Sequence, residues 1–317
     1  MLISYILFAL GLIFMIKGGD FFVDEATWFA RLTGLPEVLI GATIVSLATT
    51  SPETTVSILA TLQNYPSVAI GNAIGSIICN TGLILGLYHL IRPNRIDSRI
   101  FKYKGLMMLG YICFFWLSAR KGYIDHLSGL GLLLLLIVYI IFNLAIVKYK
   151  RSKKRKVRIP SKYSKKEASK HFLLFVFGVG LILIGANLLV TYGVKIANSW
   201  GVPEAVISLS MIALGTSLPE LTTAITALVK GHDELALGNV LGANILNIAM
   251  VIGLSASIRP LIIQPNIFLI DIPVALVLGS ILVVPTIITK RINRIQAFLL
   301  LSGYAAYILA LFLFIKY

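Results

Sequence analysis

Two glutamates sit in a passage that this chain carries twice. Around Glu53 it reads Leu47-Ala48-Thr49-Thr50-Ser51-Pro52-Glu53, and around Glu220 it reads Leu214-Gly215-Thr216-Ser217-Leu218-Pro219-Glu220. The copies are 167 residues apart, and both lie inside long apolar runs. A carboxylate at that depth in a membrane is costly, roughly +2.5 to +3.5 kcal/mol on insertion scales. Bearing the cost twice, at matching positions, points to a cation site built at a repeat interface. Proline gives up a backbone donor and crowds the carbonyl four residues back. Pro52 and Pro219 should therefore break their helices just before each glutamate, freeing carbonyls near Ala48 and Gly215. Unwound backbone at membrane depth is tolerated where it lines a cavity or is buried in protein. Those carbonyls, the hydroxyls of Thr49, Thr50, Thr216 and Ser217, and the carboxylates of Glu53 and Glu220 make an all-oxygen set. Hard ions such as Ca²⁺ take 6–8 oxygens at about 2.3–2.6 Å. No His, Cys or Met belongs to the motif, which disfavours zinc, copper or iron.

The elements that must position these groups also recur. Gly34, Pro36 and Glu37 fall on Gly201, Pro203 and Glu204, while Gly71, Asn72, Gly75, Asn80 and Gly86 fall on Gly238, Asn239, Gly242, Asn247 and Gly253. Ile91-Arg92-Pro93 returns as Ile258-Arg259-Pro260. Ser76 and Asn80, four apart, share one helix face, and the glycines of that span allow close helix approach. Asn72 and Asn239 could cap helix starts. Asn80 and Asn247 each lie one span away from a membrane-buried glutamate and are read as site residues. Asp24, Glu25 and Asp271 have no charged counterparts at the same offset, which favours packing or rim roles.

The 317 residues are 58% hydrophobic and 13% charged, with a mean hydropathy of +0.91. Soluble domains carry about 25% charge, so the chain reads as an all-α polytopic membrane protein. Ten transmembrane helices are expected near 2–29, 36–62, 67–90, 105–119, 127–147, 171–198, 203–229, 235–257, 267–289 and 294–315. The opening segment lacks the basic start and small-residue cleavage site of a signal peptide, and is taken as the first span. A net charge of +15 raises the question of nucleic acid, but twelve basic residues are concentrated between Lys148 and Lys170, opposed only by Glu167. With the loops holding Arg92, Arg95, Arg99, Lys102 and Lys104, then Lys290, Arg291 and Arg294, then Lys230, one side collects 21 of the 28 basic residues. By the positive-inside rule that side is cytoplasmic and both termini are extracellular. The 148–170 segment also suits contact with anionic lipid. It separates a first half, 1–147, from a second, 171–317. Five spans per half is an odd number, so two halves of one fold enter the membrane in opposite directions, as two inverted five-helix repeats. Cys79 and Cys113 lie in spans and make neither a metal spacing nor a disulfide framework, and the four histidines are scattered near span ends.

A Gly-Thr-Ser-x-Pro-Glu passage followed by Gly-Asn-x-x-Gly-Ser/Ala-x-x-x-Asn, in two halves, resembles the α-repeats of the cation/calcium exchanger superfamily. Within it, the chain resembles the prokaryotic sodium/calcium exchanger family. The resemblance implies alternating access, with Ca²⁺ and Na⁺ as transported ions competing for overlapping sites and no cofactor. It implies Glu53 and Glu220 as shared ligands. Thr49 and Thr216 would give backbone oxygens to Ca²⁺, and their hydroxyls, with those of Thr50 and Ser217, would serve Na⁺. Ser76 would complete one Na⁺ site, Asn80 and Asn247 would line the middle, and the carbonyls of Ser46 and Ala213 would reach the outer sites. Three positions depart from the family pattern. Ala48 replaces a glycine, Thr50-Ser51 stands where Ser-Leu is commoner, and Asn247 takes a position that is aspartate in some relatives. In addition, Ala243 stands opposite Ser76, leaving one Na⁺ site short of a hydroxyl.

A Ca²⁺/Na⁺ secondary antiporter in the cell membrane, for which a monomer suffices, is the leading reading. A Ca²⁺/H⁺ antiporter is the alternative, since two apposed carboxylates favour proton uptake. A cation channel fits an inverted repeat with broken helices less well, and a membrane-embedded enzyme would need an activated nucleophile that the sequence does not offer.

Overall fold

With no water in the bilayer core, peptide groups have to be satisfied within each segment, and helices do this locally. A computed structural model describes residues 2–33, 35–62, 64, 66–96, 99–153, 165–199 and 215–314, and these are predominantly helical. In chain order the helices are α1 (Leu2–Thr33), α2 (Glu37–Thr49), α3 (Ser51–Leu62), α4 (66–91), α5 (Arg99–Ser118) and α6 (His126–Lys153). They continue with α7 (Lys165–Ser199), α8 (Leu218–Lys230), α9 (Asp233–Ile258), α10 (Ile267–Thr289) and α11 (Arg294–Phe314). Among the described residues eight helices are long and apolar enough to cross a membrane, and α2 is a shorter apolar helix. The surface carries large apolar side chains and the largely apolar interior holds polar ones: Leu2, Leu127, Val229 and Ile288 are exposed, while Glu53, Ser57, Asn80, Asn244 and Glu220 are buried. That distribution suits lipid as the solvent.

The helices pack as two units, Met1–Pro52 with Ile140–Asn239, and Glu53–Tyr139 with Val240–Tyr317, so each draws on both halves of the chain. In the first unit α1 and α7 run antiparallel, seamed by glycines. A Cβ on Gly11 would sit 3.0 Å from the Gly185 carbonyl oxygen, and one on Gly18 would sit 2.8 Å from that of Gly178. The 167-residue offset carries Gly11 onto Gly178 and Gly18 onto Gly185, so it exchanges the two contacts. Helix α2 meets α9 more closely still. A Cβ on Gly41 would lie 2.3 Å from the Leu235 carbonyl oxygen, and one on Gly238 would lie 2.3 Å from that of Val38.

In the second unit, two short ladders link the ends of the helices. Strand β1 (Asn94–Arg95) pairs antiparallel with β4 (Arg291–Ile292), and β2 (Tyr123–Ile124) pairs with β3 (Leu261–Ile262). Moving 167 or 168 residues along the chain turns one ladder into the other. The Ile96 amide donates to the Lys290 carbonyl at 2.7 Å, and its counterpart, the Ile263 amide, donates to that of Gly122 at 2.9 Å. Left-handed residues recur as well: Asn64 (φ 67°) with Gly231 (φ 77°), and Gly122 (φ 78°) with Lys290 (φ 54°). Asp125 caps α6 by accepting the Ser128 amide at 2.8 Å, as Asn293 caps α11 by accepting the Gln296 amide at 2.8 Å. These bonds from Ser128 hold the Asp125 carboxyl below the usual carboxylate range.

The observed helices correct one expected boundary. The fourth span begins at Arg99 rather than 105, so Lys104 is not a loop residue; it is fully buried. Its Nζ lies 3.3 Å from the Tyr139 hydroxyl and 4.9 Å from the centre of that ring. A hydropathy window starts after the lysine because it cannot register a tyrosine 35 residues away. Asp24, Glu25 and Asp271 also have partners, at 2.8 Å from Lys230 Nζ, 2.5 Å from His171 Nδ1 and 3.1 Å from the Tyr307 hydroxyl, respectively. Cys79 is buried, and neither cysteine is in a disulfide.

The glycine contacts make a direct prediction. Gly41→Ala and Gly238→Ala should each destabilise the protein by about 1–3 kcal/mol, the usual range for overpacking. Thermal unfolding in detergent checks this; an unchanged midpoint for both variants would contradict the close approach of α2 and α9.

Candidate cation site

Each repeated passage breaks its helix just before the proline. Thr50 (φ −80°, ψ 1°) and Ser217 (φ −87°, ψ 3°) leave helical geometry at the same point of the two copies. Helix α3 then starts at Ser51 and α8 at Leu218, so Glu53 and Glu220 both fall in the first turn of a helix, where the dipole favours a carboxylate. Both side chains have no exposed surface, 0% in each case.

In the first unit the hydroxyls of Thr49 and Thr50 lie beside the Glu220 carboxylate. The Thr49 hydroxyl also reaches Asn239 Oδ1 at 3.1 Å and the Ser46 carbonyl at 3.4 Å. A single hydroxyl proton thus faces two acceptors. Asn239 Nδ2 donates to the Thr223 hydroxyl at 2.8 Å, and Thr223 in turn donates to the Glu220 carbonyl at 2.9 Å. The Ser46 carbonyl, which accepts the Thr50 amide at 2.9 Å, is buried with them. The Ser217 hydroxyl is buried without a hydrogen-bond partner among the described residues, and Thr216 is buried next to it. Ala213 lies outside the described residues.

In the second unit Asn72 Nδ2 donates to the Glu53 carbonyl at 3.2 Å and to the Ser57 hydroxyl at 3.0 Å. Asn80 Nδ2 donates to Asn244 Oδ1 at 3.2 Å, and Asn244 Nδ2 donates to the Thr81 hydroxyl at 2.8 Å. The Asn80 oxygen, the Ser76 hydroxyl and both amide atoms of Asn247 are buried with no partner among the described residues. A buried, unanswered polar oxygen costs about 1–3 kcal/mol, and here such atoms cluster as hard donors for a cation. Asn80 is the second residue of a widened helical turn, Cys79–Ile84, and Asn247 is the first of another, Asn247–Ile252. Turns of this π type are frequent at functional sites. Ala243, opposite Ser76 in the repeat, is buried and offers no oxygen.

Asn72 and Asn239 are corrected from helix caps to bridges: both sit inside helices and tie neighbouring helices together. Sequence reasoning missed Asn244, Ser57, Thr81 and Thr223 because their positions in the other copy hold Ile77, Ala224, Ile248 and Val56. The one available signal was Asn244 standing a single turn before Asn247. Among the described residues no three of His, Cys, Asp and Glu group to hold a metal, so neutral oxygens have to outnumber carboxylates around any bound ion.

A family profile described as "Sodium/calcium exchanger protein" matches residues 3–145 and 170–313. The chain belongs to the sodium/calcium exchanger family. Within that family it is similar to the sodium/calcium exchanger MaX1 of Methanosarcina acetivorans, 29% identical over 345 residues, covering 98% of this chain and 99% of the relative. It is also similar to the putative antiporter CaxA of Alkalimonas amylolytica, 32% identical over 330 residues, with 98% and 99% covered. A solved structure of the sodium-calcium exchanger NCX_Mj superimposes with a TM-score of 0.86 at 29% identity, covering 98% of this chain and 99% of that one. Membership of this exchanger family makes the chain a multi-pass membrane transporter.

The Asn239 bridge can be tested on its own. Asn239→Leu keeps much of the volume but deprives the Thr49 and Thr223 hydroxyls of their shared partner. It should cost about 1–3 kcal/mol, and thermal unfolding of the purified variant measures this. Wild-type stability would mean that the bridge is incidental.

Proposed function

We propose that the chain is a secondary antiporter that exchanges Ca²⁺ for Na⁺ by alternating access. Its architecture on this reading is ten spans in two inverted five-helix repeats, 1–147 and 171–317. They are joined by a cytoplasmic basic segment at 148–170, and both termini are extracellular. The reading is supported by the exchanged glycine contacts of α1 and α7, by the two interchangeable ladders, and by one family profile matching 3–145 and 170–313.

The observation that carries the function is the pair Glu53 and Glu220: fully buried, in the first turn of a helix, each just past a backbone break. Glu53 and Glu220 would be the charged ligands of Ca²⁺ and Na⁺ alike. Their formal charge of −2 balances one Ca²⁺ or two Na⁺, so exchange leaves the buried charge compensated in both loaded states. Oxygens of Thr49, Thr50, Thr216 and Ser217 would supply neutral ligands beside them, with carbonyls of Ser46 and Ala213 at the outer positions. Ser76, Asn80 and Asn247 would add further oxygens, since Ser76 and Asn247 carry buried oxygens that nothing in the described residues uses.

Glu53→Gln and Glu220→Gln should each abolish Ca²⁺ transport while leaving a folded protein. One lost carboxylate leaves a divalent ion undercompensated in a low-dielectric site, where Coulomb terms are strong. Ca²⁺ uptake into vesicles bearing each purified variant, under separately imposed Na⁺ and pH gradients, decides the matter. Wild-type uptake by either variant would remove the central claim, and uptake driven by the pH gradient alone would replace Na⁺ by H⁺ as counter-ion.

The broken symmetry between Ser76 and Ala243 makes a second prediction. Water can replace a missing ligand, but immobilising it costs up to about 2 kcal/mol. Ala243→Ser should therefore raise the apparent Na⁺ affinity of exchange, and Ser76→Ala should lower it. If Na⁺ dependence ignores Ala243→Ser while Ser76→Ala damages it, position 243 is not a ligand position.

A further inference from the structure

The ladder of β1 with β4 sets Arg95 directly opposite Arg291. Like charges at facing positions of an antiparallel pair repel and destabilise the ladder. The equivalent ladder, β2 with β3, has the same backbone pairing but places Tyr123 opposite Ile262. This fold therefore does not need two arginines there. Beside them Lys290 adopts a left-handed conformation (φ 54°), where its counterpart is Gly122 (φ 78°), the residue that fits such a backbone without strain. Three cations are thus gathered at one corner, against local preference.

That corner holds two crevices. One, of about 510 Å³, is lined by Arg95, Lys290 and Arg291, and the second, of about 250 Å³, is lined by Arg99, Lys102 and Lys290. The first falls within the size range of small-ligand sites, about 300–1,000 Å³. No acidic residue occurs in 92–96, 99–104 or 286–294, and Asp97 lies outside the described residues. Just beyond the cations the surface turns apolar and exposed, with Ile288 at 75%, Ile295 at 73%, Phe298 at 61% and Leu106 at 47%. A cationic crevice at helix ends, continuous with an apolar surface, matches a phosphate-bearing headgroup attached to acyl chains. Positive-inside topology alone accounts for basic residues on this side, but not for two arginines placed face to face.

We propose that the β1–β4 corner is a binding site for a phosphate anion, supplied by the headgroup of an anionic lipid in the same leaflet. The anion bridges Arg95 and Arg291, relieving their repulsion, while Lys290 closes the crevice. Arginine pairs hold phosphate oxygens in two parallel hydrogen bonds, which fits this role. Bound lipid locks together the ends of α4, α5, α10 and α11, all of which meet at this corner.

The test uses the full chain in nanodiscs of phosphatidylcholine alone or of phosphatidylcholine with phosphatidic acid. Lipid retention is counted by native mass spectrometry, and thermal midpoints are recorded alongside. Phosphatidic acid should raise the wild-type midpoint. The double variant Arg95→Gln with Arg291→Gln should have a higher midpoint than wild type in phosphatidylcholine alone, because the repulsion is gone. It should retain phosphatidic acid about tenfold more weakly, the equivalent of one charge-assisted contact, whereas Arg95→Lys should keep most of the retention. Equal retention by wild type and double variant overturns the site. So does a loss of retention seen only when Lys153, Lys154 and Arg155 are neutralised, which would assign the lipid to the 148–170 segment. Soluble glycerol phosphate reproducing the full midpoint shift would keep the site but overturn lipid as its source.

Discussion

Burying a carboxylate in an apolar interior is the constraint on which the rest of this structure depends. Isolated, the charge of Glu53 or Glu220 would be prohibitive at membrane depth. The chain answers with the same devices at both positions. A proline opens the backbone one turn before the acid, hydroxyl residues fill the opening, and the new helix starts so that its dipole faces the charge. Asn72 and Asn239 then pin the broken segments to neighbouring helices through the Glu53 carbonyl and the Thr223 hydroxyl. The contacts of Gly41 and Gly238 bring backbones close enough for a side chain as short as asparagine to bridge them.

Many of these features come in pairs, and the exceptions show where the two passages diverge. Backbone features are kept: the left-handed residues, the N-caps, the widened turns and the ladders all recur at an offset of 167 or 168. Side chains diverge more freely. Ser76 faces Ala243 in the alignment of the halves, Ile77 faces Asn244, and the arginine ladder faces an apolar one. A backbone geometry must be repeated for the halves to share a fold, whereas a ligand or a charge need only appear once to work.

That asymmetry also explains what could be read from the sequence. The residues of Glu53, Glu220 and their hydroxyl neighbours were legible because repetition and cost single them out. The proline breaks were legible because proline acts locally. Asn244 and Thr223 were not, since neither has a partner in the other copy and each acts through a residue far away in sequence, Asn80 and Asn239. Lys104 failed for a related reason. Its burial depends on Tyr139, and a reading of local hydropathy places any lysine in water.

A transport site, if these residues form one as proposed, has to be tolerable when empty as well as when filled, and the hydrogen bonds bear on both conditions. The Thr49 hydroxyl has one proton and two acceptors, Asn239 Oδ1 and the Ser46 carbonyl. With that proton turned to either acceptor, the hydroxyl oxygen would be free to face a cation. The Asn80–Asn244–Thr81 chain works differently, because it engages the amide nitrogen of Asn80 as a donor and leaves its oxygen available. Fixing the donors on protein partners presents acceptors to the interior, which is the polarity that a cation requires. Replacing those amides by carboxylates would bind a divalent ion more tightly, but would deepen the charge to be buried in every empty state. On the proposed reading, neutral oxygens beside each acid would keep both binding and release within reach.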